Sequence, residues 1–327
     1  MTEYFFSGAH EQFAPSDLLR QAVEAERAGF DAIACSDHFQ PWWEPGESGH
    51  AWVWLGAAAQ ATSVPVGTAV TAPVYRFHPA LVAQAWATLE EMYPGRTFLG
   101  AGSGESLNES PLGMDWPPVG EQLDRLEEAL EIIHRLFDGE RLDAFGHFPM
   151  KQAYLHTNPG RRPPIYVSAF GSRAAAIAAR WGDGVWTLAD PESAPDVIEA
   201  YRSACDDEGK EPGKILLQAG MSWASDDDAA FEGAKPFKAT MPDEFYVDDW
   251  HDPVAMAKHA DEKYSDDDFR ERFIISSDPE EHASRLREVA EMGADIVVVM
   301  NNSGADPLGA VRVYGEKVLP ALRGARV

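Results

Sequence analysis

Three short stretches carry residue types that can move protons. The first is Ser36-Asp37-His38-Phe39-Gln40-Pro41-Trp42-Trp43. A histidine exchanges a proton near neutral pH, and an adjacent acid can orient it or hold a ligand. Trp42 and Trp43 can line a pocket for a flat ring, although indoles also serve as plain packing. The second is Gly102-Ser103-Gly104-Glu105-Ser106-Leu107-Asn108-Glu109. Its glycines let a ligand approach the backbone, and a carboxyl held in such a pocket has a raised pKa and can donate a proton. Glu105 fits equally the plain role of capping the helix that follows. The third is Glu11, in Ala9-His10-Glu11-Gln12-Phe13.

A fourth stretch, Phe170-Gly171-Ser172, precedes an Ala-rich run. Backbone N–H groups at a helix N-terminus attract phosphate, and glycine and serine suit that role; a serine N-cap describes the residues as well. His10, His38 and His50 lack the spacing of metal ligands, and no cysteine cluster exists, so no metal centre is expected.

The elements that must position these residues are short apolar strands alternating with helices. Strands are expected over 4–8, 31–35, 64–70, 97–101, 165–169, 184–187, 215–221 and 295–300. Helices are expected over 15–28, 51–62, 80–92, 119–137, 174–180, 194–207, 279–292 and 307–322. Alternation implies parallel strands joined by right-handed crossovers, and eight such units favour a closed (β/α)8 TIM barrel spanning 1–327 as a single domain. A dinucleotide-binding doubly wound sheet would want Gly-x-Gly-x-x-Gly after its first strand, and none is present. Residues 226–268 fit no β/α unit and read as an inserted, partly helical segment, a candidate lid. In a barrel the C-terminal ends of the strands carry the chemistry. Glu11, Asp37, His38 and Glu105 all follow strands.

Acids total 54 against 27 Lys and Arg, a formal charge of −27. That surface repels nucleic acid and anionic membranes, so neither is expected as a partner. No apolar run reaches the ~18 residues of a membrane span, and Met1-Thr2-Glu3-Tyr4-Phe5-Phe6 lacks the basic start of a signal peptide. Cys35 and Cys205 fall in different elements and are expected as free thiols in a reducing cytoplasm. The acidic runs 225–228 and 265–268 read as solvated surface adapted to high salt rather than as cation sites.

The chain also resembles the luciferase-like flavin and deazaflavin oxidoreductases, and within them the coenzyme F420-dependent glucose-6-phosphate dehydrogenase group. The matching stretches are Glu11-Gln12-Phe13-Ala14-Pro15, 36–42, Gly67-Thr68-Ala69-Val70-Thr71-Ala72-Pro73, 98–109, Gly182-Asp183-Gly184 and Ser277-Asp278-Pro279. The resemblance implies a (β/α)8 barrel with insertions, usually a homodimer, that binds coenzyme F420. FMN is the less favoured cofactor. It implies a cis peptide at Ala69-Val70 against the deazaflavin ring, coenzyme contacts from Asp37, His38 and Asn108, and a phosphate at Phe170, Gly171 and Ser172. It assigns His38 as general base, Trp42 to the reacting centre, Glu105 as proton donor to the ring and Glu11 to the substrate. The alternatives in the same superfamily are an FMN-dependent monooxygenase and an F420-linked reductase. A catalytically silent ligand-binding barrel is a further alternative.

The chain departs from the group at the substrate phosphate. Members that take glucose 6-phosphate clamp it with two lysines and an arginine. The arginine corresponds to Arg272; the lysine positions fall near Asp190 and Val247. Two missing cations and an added acid weaken a dianion by several kcal/mol, at ~1.5–3 kcal/mol per charged hydrogen bond. A neutral sugar or alcohol is therefore the expected substrate, unless Lys258 or Lys263 supplies a replacement charge.

Overall fold

A computed structural model describes residues 2–143 and 146–324. Its strands are β1 (Glu3–Gly8), β2 (Ala32–Cys35), β3 (Val66–Thr68), β4 (Thr97–Ala101), β5 (Ile165–Ser168), β6 (Gly184–Leu188), β7 (Lys214–Ser222), β8 (Ile274–Ile275) and β9 (Ile296–Asn301). All pair in parallel. β1 through β7 run consecutively around a ring that β9 closes by pairing with both β7 and β1. The closed barrel thus has eight strands. β8, two residues long, extends the C-terminal end of β7 beside Met221 and Ser222.

Successive side chains on a strand point to opposite faces. Here both faces are covered, so the strands read as unbroken apolar runs. Phe5, Ala32, Ala34, Phe98, Trp186, Leu216, Ile296 and Val298 fill the barrel interior. Their neighbours Phe6, Ile33, Leu99 and Val297 face outward into a second, larger core under the helices. These helices are α1 (Pro15–Ala28), α2 (Ala51–Ala61), α3 (Pro79–Met92), α4 (Ser106–Glu109), α5 (Val119–Phe137), α6 (Ser172–Trp181) and α7 (Ala194–Asp207). After β7 come α8 (Asp227–Ala234), α9 (Pro253–Lys263), α10 (Asp266–Arg272), α11 (Pro279–Glu291), α12 (Pro307–Val313) and α13 (Leu319–Leu322).

The expected elements are present, with two differences. The expected strand over 64–70 shortens to Val66–Thr68: the Ala69–Val70 peptide is cis, and pairing resumes only at Thr71 opposite Ala101. The expected helix over 307–322 is interrupted by a wide turn at Tyr314–Val318, where Gly315 sits against Ala28 of α1 so closely that a side chain would not fit.

The inserted segment contains α8, α9, the first turn of α10 and two 3-10 turns, Lys235–Thr240 and Asp243–Tyr246. Its acidic runs work as helix caps. Asp226 accepts from the Ala229 N–H, and Ser265 and Asp268 form a reciprocal capping box. Clasps hold the segment over the barrel mouth. Ser106 Oγ accepts from the Trp250 N–H (2.8 Å) and donates to the Trp250 carbonyl (2.7 Å), and Ser110 donates to Asp249 (2.9 Å).

Candidate active site

Each chemical side chain sits just past a strand end. β2 ends at Cys35, and the chain continues directly into Ser36, Asp37 and His38. The loop after β1 carries Glu11, the turn from β4 into α4 carries Glu105, and α4 itself carries Asn108. All of these line one cavity of about 540 Å³. So do Trp42, Ala69, Val70, Phe170, Gly171, Ser172 and Arg272, so every residue to which the resemblance gives a role borders the same space. Trp43 does not: it packs on Phe237, with ring centroids 4.8 Å apart.

The centre is His38. Its Nε2 is 3.3 Å from Glu11 Oε1 and 3.8 Å from Glu105 Oε2. Trp42 stands 5.6 Å from the imidazole, and Tyr246 of the inserted segment stands 5.4 Å beyond Trp42, making an aromatic wall. Glu11 is held from behind by Ser36, whose hydroxyl donates to Oε2 at 2.6 Å. Asn108 reaches Glu105 Oε2 (3.1 Å) and His38 Nδ1 (3.3 Å) with its amide nitrogen. Burial pushes the Glu105 carboxyl above its ordinary range, opposed by His38 and reinforced by Glu11.

Arg76, Glu109 and Thr71 form a support that the sequence reading missed. Arg76 donates to the Asp37 carbonyl (2.6 Å) and to Asp37 Oδ1 (2.9 Å). Its other guanidinium nitrogen is 3.3 Å from Glu109 Oε1, and its backbone N–H donates to Glu109 Oε2 (2.9 Å). Thr71 donates to Asp37 Oδ2 (2.6 Å) and accepts from the Trp52 indole N–H. Three loops, after β2, β3 and β4, are thereby locked together. Burial raises the Glu109 carboxyl to about 7, although Arg76 opposes the rise. Glu109 lay within the Gly-rich stretch and was readable as a candidate. Nothing in Tyr75-Arg76-Phe77 marks an arginine that folds back onto Asp37.

At the far end, Arg272 donates to Asp190 Oδ2 (2.9 Å) and to the Met241 carbonyl (3.1 Å). Asp190 Oδ1 in turn accepts from the Glu192 N–H at the turn into α7. Val247 also lines the cavity. Lys263 is engaged by Glu244 and Lys258 by Glu262, and neither is among the cavity residues, so neither replaces a missing cation. The N-terminus of α6 also borders the cavity. Its first turn has no side-chain cap, and Gly171 leaves open space in front of it.

A closed parallel barrel whose acid and base groups gather at its C-terminal mouth is the architecture of a barrel enzyme. The chain belongs to the luciferase-like family: the model of the luciferase-like monooxygenases matches residues 2–295. It is 37% identical over 332 residues to an F420-dependent glucose-6-phosphate dehydrogenase of Microbacterium testaceum, covering 97% of this chain and 96% of that protein. It is 35% identical over 319 residues to the F420-dependent hydroxymycolic acid dehydrogenase of Mycobacterium tuberculosis, covering 96% and 87%. Among solved structures, an F420-dependent secondary alcohol dehydrogenase in complex with an F420-acetone adduct superposes with a TM-score of 0.94 at 32% identity, covering 98% of this chain and 99% of that one.

Proposed function

We propose that the protein is a coenzyme F420-dependent dehydrogenase that oxidises a neutral secondary alcohol or an unphosphorylated sugar. The F420 dependence of its relatives supports the cofactor. The site fits it as well. Uncapped N–H groups at the start of α6, with open space at Gly171, suit a phosphate. The cis Ala69–Val70 segment offers an apolar surface for a ring between β3 and β4. Bound there, F420 supplies a hydride acceptor. The residues do the rest. His38 and Glu11 face the hydroxyl whose proton must leave. Glu105, raised by burial, keeps a proton available to the ring. Trp42 and Tyr246 exclude water from the reacting carbon.

The observation that carries the substrate class is Arg272. Its guanidinium is held by Asp190 and the Met241 carbonyl, so it has little to offer an anion. The test is F420 binding followed by steady-state turnover with 2-propanol, glucose and glucose 6-phosphate, with FMN as the control cofactor. Turnover of neutral alcohols with F420 is expected. A clear preference for glucose 6-phosphate would mean a glucose-6-phosphate dehydrogenase proper, and binding of FMN alone would mean a monooxygenase-like enzyme.

The same reading includes a homodimer in a cytoplasm of high salt. The surface of α2 supports the dimer. In a chain of charge −27 this helix has no charged residue and exposes Val53 (75%), and α3 exposes Leu81 (54%). We propose the inserted segment as a clasped roof that contributes Tyr246 rather than a free lid.

A further inference from the structure

Asn108 has its amide orientation fixed from outside the site. The Phe39 backbone N–H donates to Oδ1 at 2.8 Å, and a backbone N–H cannot exchange roles. The nitrogen, Nδ2, therefore points the other way. It lies 3.1 Å from Glu105 Oε2 and 3.3 Å from His38 Nδ1. A donor facing Nδ1 requires a lone pair there. A proton on Nδ1 would meet the amide N–H head on. A neutral imidazole has one ring proton, so it sits on Nε2, the nitrogen 3.3 Å from Glu11 Oε1.

We propose that Asn108 is a positioning residue that fixes the His38 tautomer, so that Nε2–H is a hydrogen-bond donor to the reacting oxygen and Glu11 is the group that takes the alcohol proton. The proton path rests on the dehydrogenase reading above; the tautomer does not. In the oxidising direction the substrate O–H bond breaks and a Glu11 carboxyl O–H bond forms. The O–H electron pair becomes the second C–O bond, and the C–H pair leaves as hydride to the acceptor of the proposed reaction. His38 keeps its proton throughout and stabilises the charge that develops on oxygen. Ser36, donating to the other Glu11 oxygen, leaves Oε1 as the accepting atom.

The tautomer is read by 15N NMR on cofactor-free protein, where a protonated and a bare ring nitrogen have distinct shifts. The chain has ten histidines, so the His38 signals are identified by their loss in His38→Gln. Wild type should show a protonated Nε2 and a bare Nδ1. Asn108→Asp, which turns the facing donor into an acceptor, should move the proton to Nδ1, and Asn108→Leu should leave a mixture. A protonated Nδ1 in wild type, or an unchanged tautomer in Asn108→Leu, overturns the assignment even if the variants lose activity for other reasons. The proton path is tested separately. Glu11→Gln should lose about 10²–10⁴-fold in kcat, the usual worth of a positioned base, and His38→Gln, which keeps an N–H donor, should lose less. The reverse order overturns Glu11 as acceptor. Absence of F420 turnover in wild type would sink the dehydrogenase reading and leave the tautomer measurement standing.

Discussion

Glu109 is a carboxyl sealed from water, and it makes stability depend on pH in an unusual direction for an acid. Its pKa in the fold is about 7, above that of an exposed glutamate. The folded state therefore holds a proton that the unfolded state has already released. The resulting stabilisation is fully present below about pH 4 and is lost as pH rises through 7, by up to roughly 3 kcal/mol. Glu109→Gln should flatten that slope between pH 4.5 and 7 in denaturant titrations; an unchanged slope would place its source elsewhere. A second residue-scale prediction concerns Asp190. Asp190→Asn removes the charge that holds Arg272, and KM for glucose 6-phosphate should fall about tenfold or more, one charged contact being worth ~1.5–3 kcal/mol. KM for 2-propanol should hardly move. His38, Glu11 and Glu105 were legible in the sequence because a polar residue directly after an apolar strand has few places to go in a barrel. Arg76 was not, because its partners are 39 residues back and 33 residues on, a proximity that only the closed ring creates.

At the scale of elements, two glycines do opposite work. A Cβ on Gly100 of β4 would overlap the Thr68 carbonyl of β3. Gly100→Ala should therefore cost more than ~3 kcal/mol, the upper part of the usual overpacking range, measured as a lowered denaturant midpoint. Gly171, before α6, is extended with nothing near its Cβ position. Gly171→Ala should leave stability unchanged and weaken F420, because the methyl would stand before the uncapped N–H groups. Equal stability losses in the two variants would contradict this account. Strand positions were readable from apolar runs, since a parallel strand buried on both faces has no polar alternation to hide it. The limits of β3 were not, because the residues that leave the ladder, Ala69 and Val70, are as apolar as those that stay. The acidic runs at 225–228 and 265–268 read as general surface, yet Asp226 caps the start of α8, and Ser265 with Asp268 caps the start of α10. Composition registers the charge of such a run, whereas capping depends on where the next helix begins.

For the whole molecule, charge and assembly are linked. Charges of one sign repel over about 10 Å at 0.1 M salt but only about 3 Å at 1 M. With a net charge of −27, the thermal midpoint should rise as KCl increases from 0.1 to 2 M, and full stability in dilute buffer would contradict adaptation to high salt. The proposed dimer face makes its own prediction. Ala57→Arg, on the exposed side of α2, should shift the protein to monomer by light scattering while leaving its fold intact; an unchanged mass would move the interface elsewhere. The barrel itself was legible from eight alternating units. The insertion at 226–268 was legible as well; which of its residues meet the cavity was not, because residues 235–250 have no periodicity that aims them there, and Asp248, Trp250 and Met241 are held by contacts with Ser106 and Arg272 rather than by their own pattern.

The Asp190–Arg272 pair also bears on descent. Aspartate and asparagine codons differ by one nucleotide, so the lineage carrying this gene stands a single point mutation from exposing a cation at the substrate end of the cavity. Arg272 also donates to the Met241 carbonyl, a contact that does not depend on Asp190. On the proposed reading, the Asp190 carboxylate is one of three features set against an anionic substrate, beside the two absent lysines, and it is the one a single nucleotide can remove.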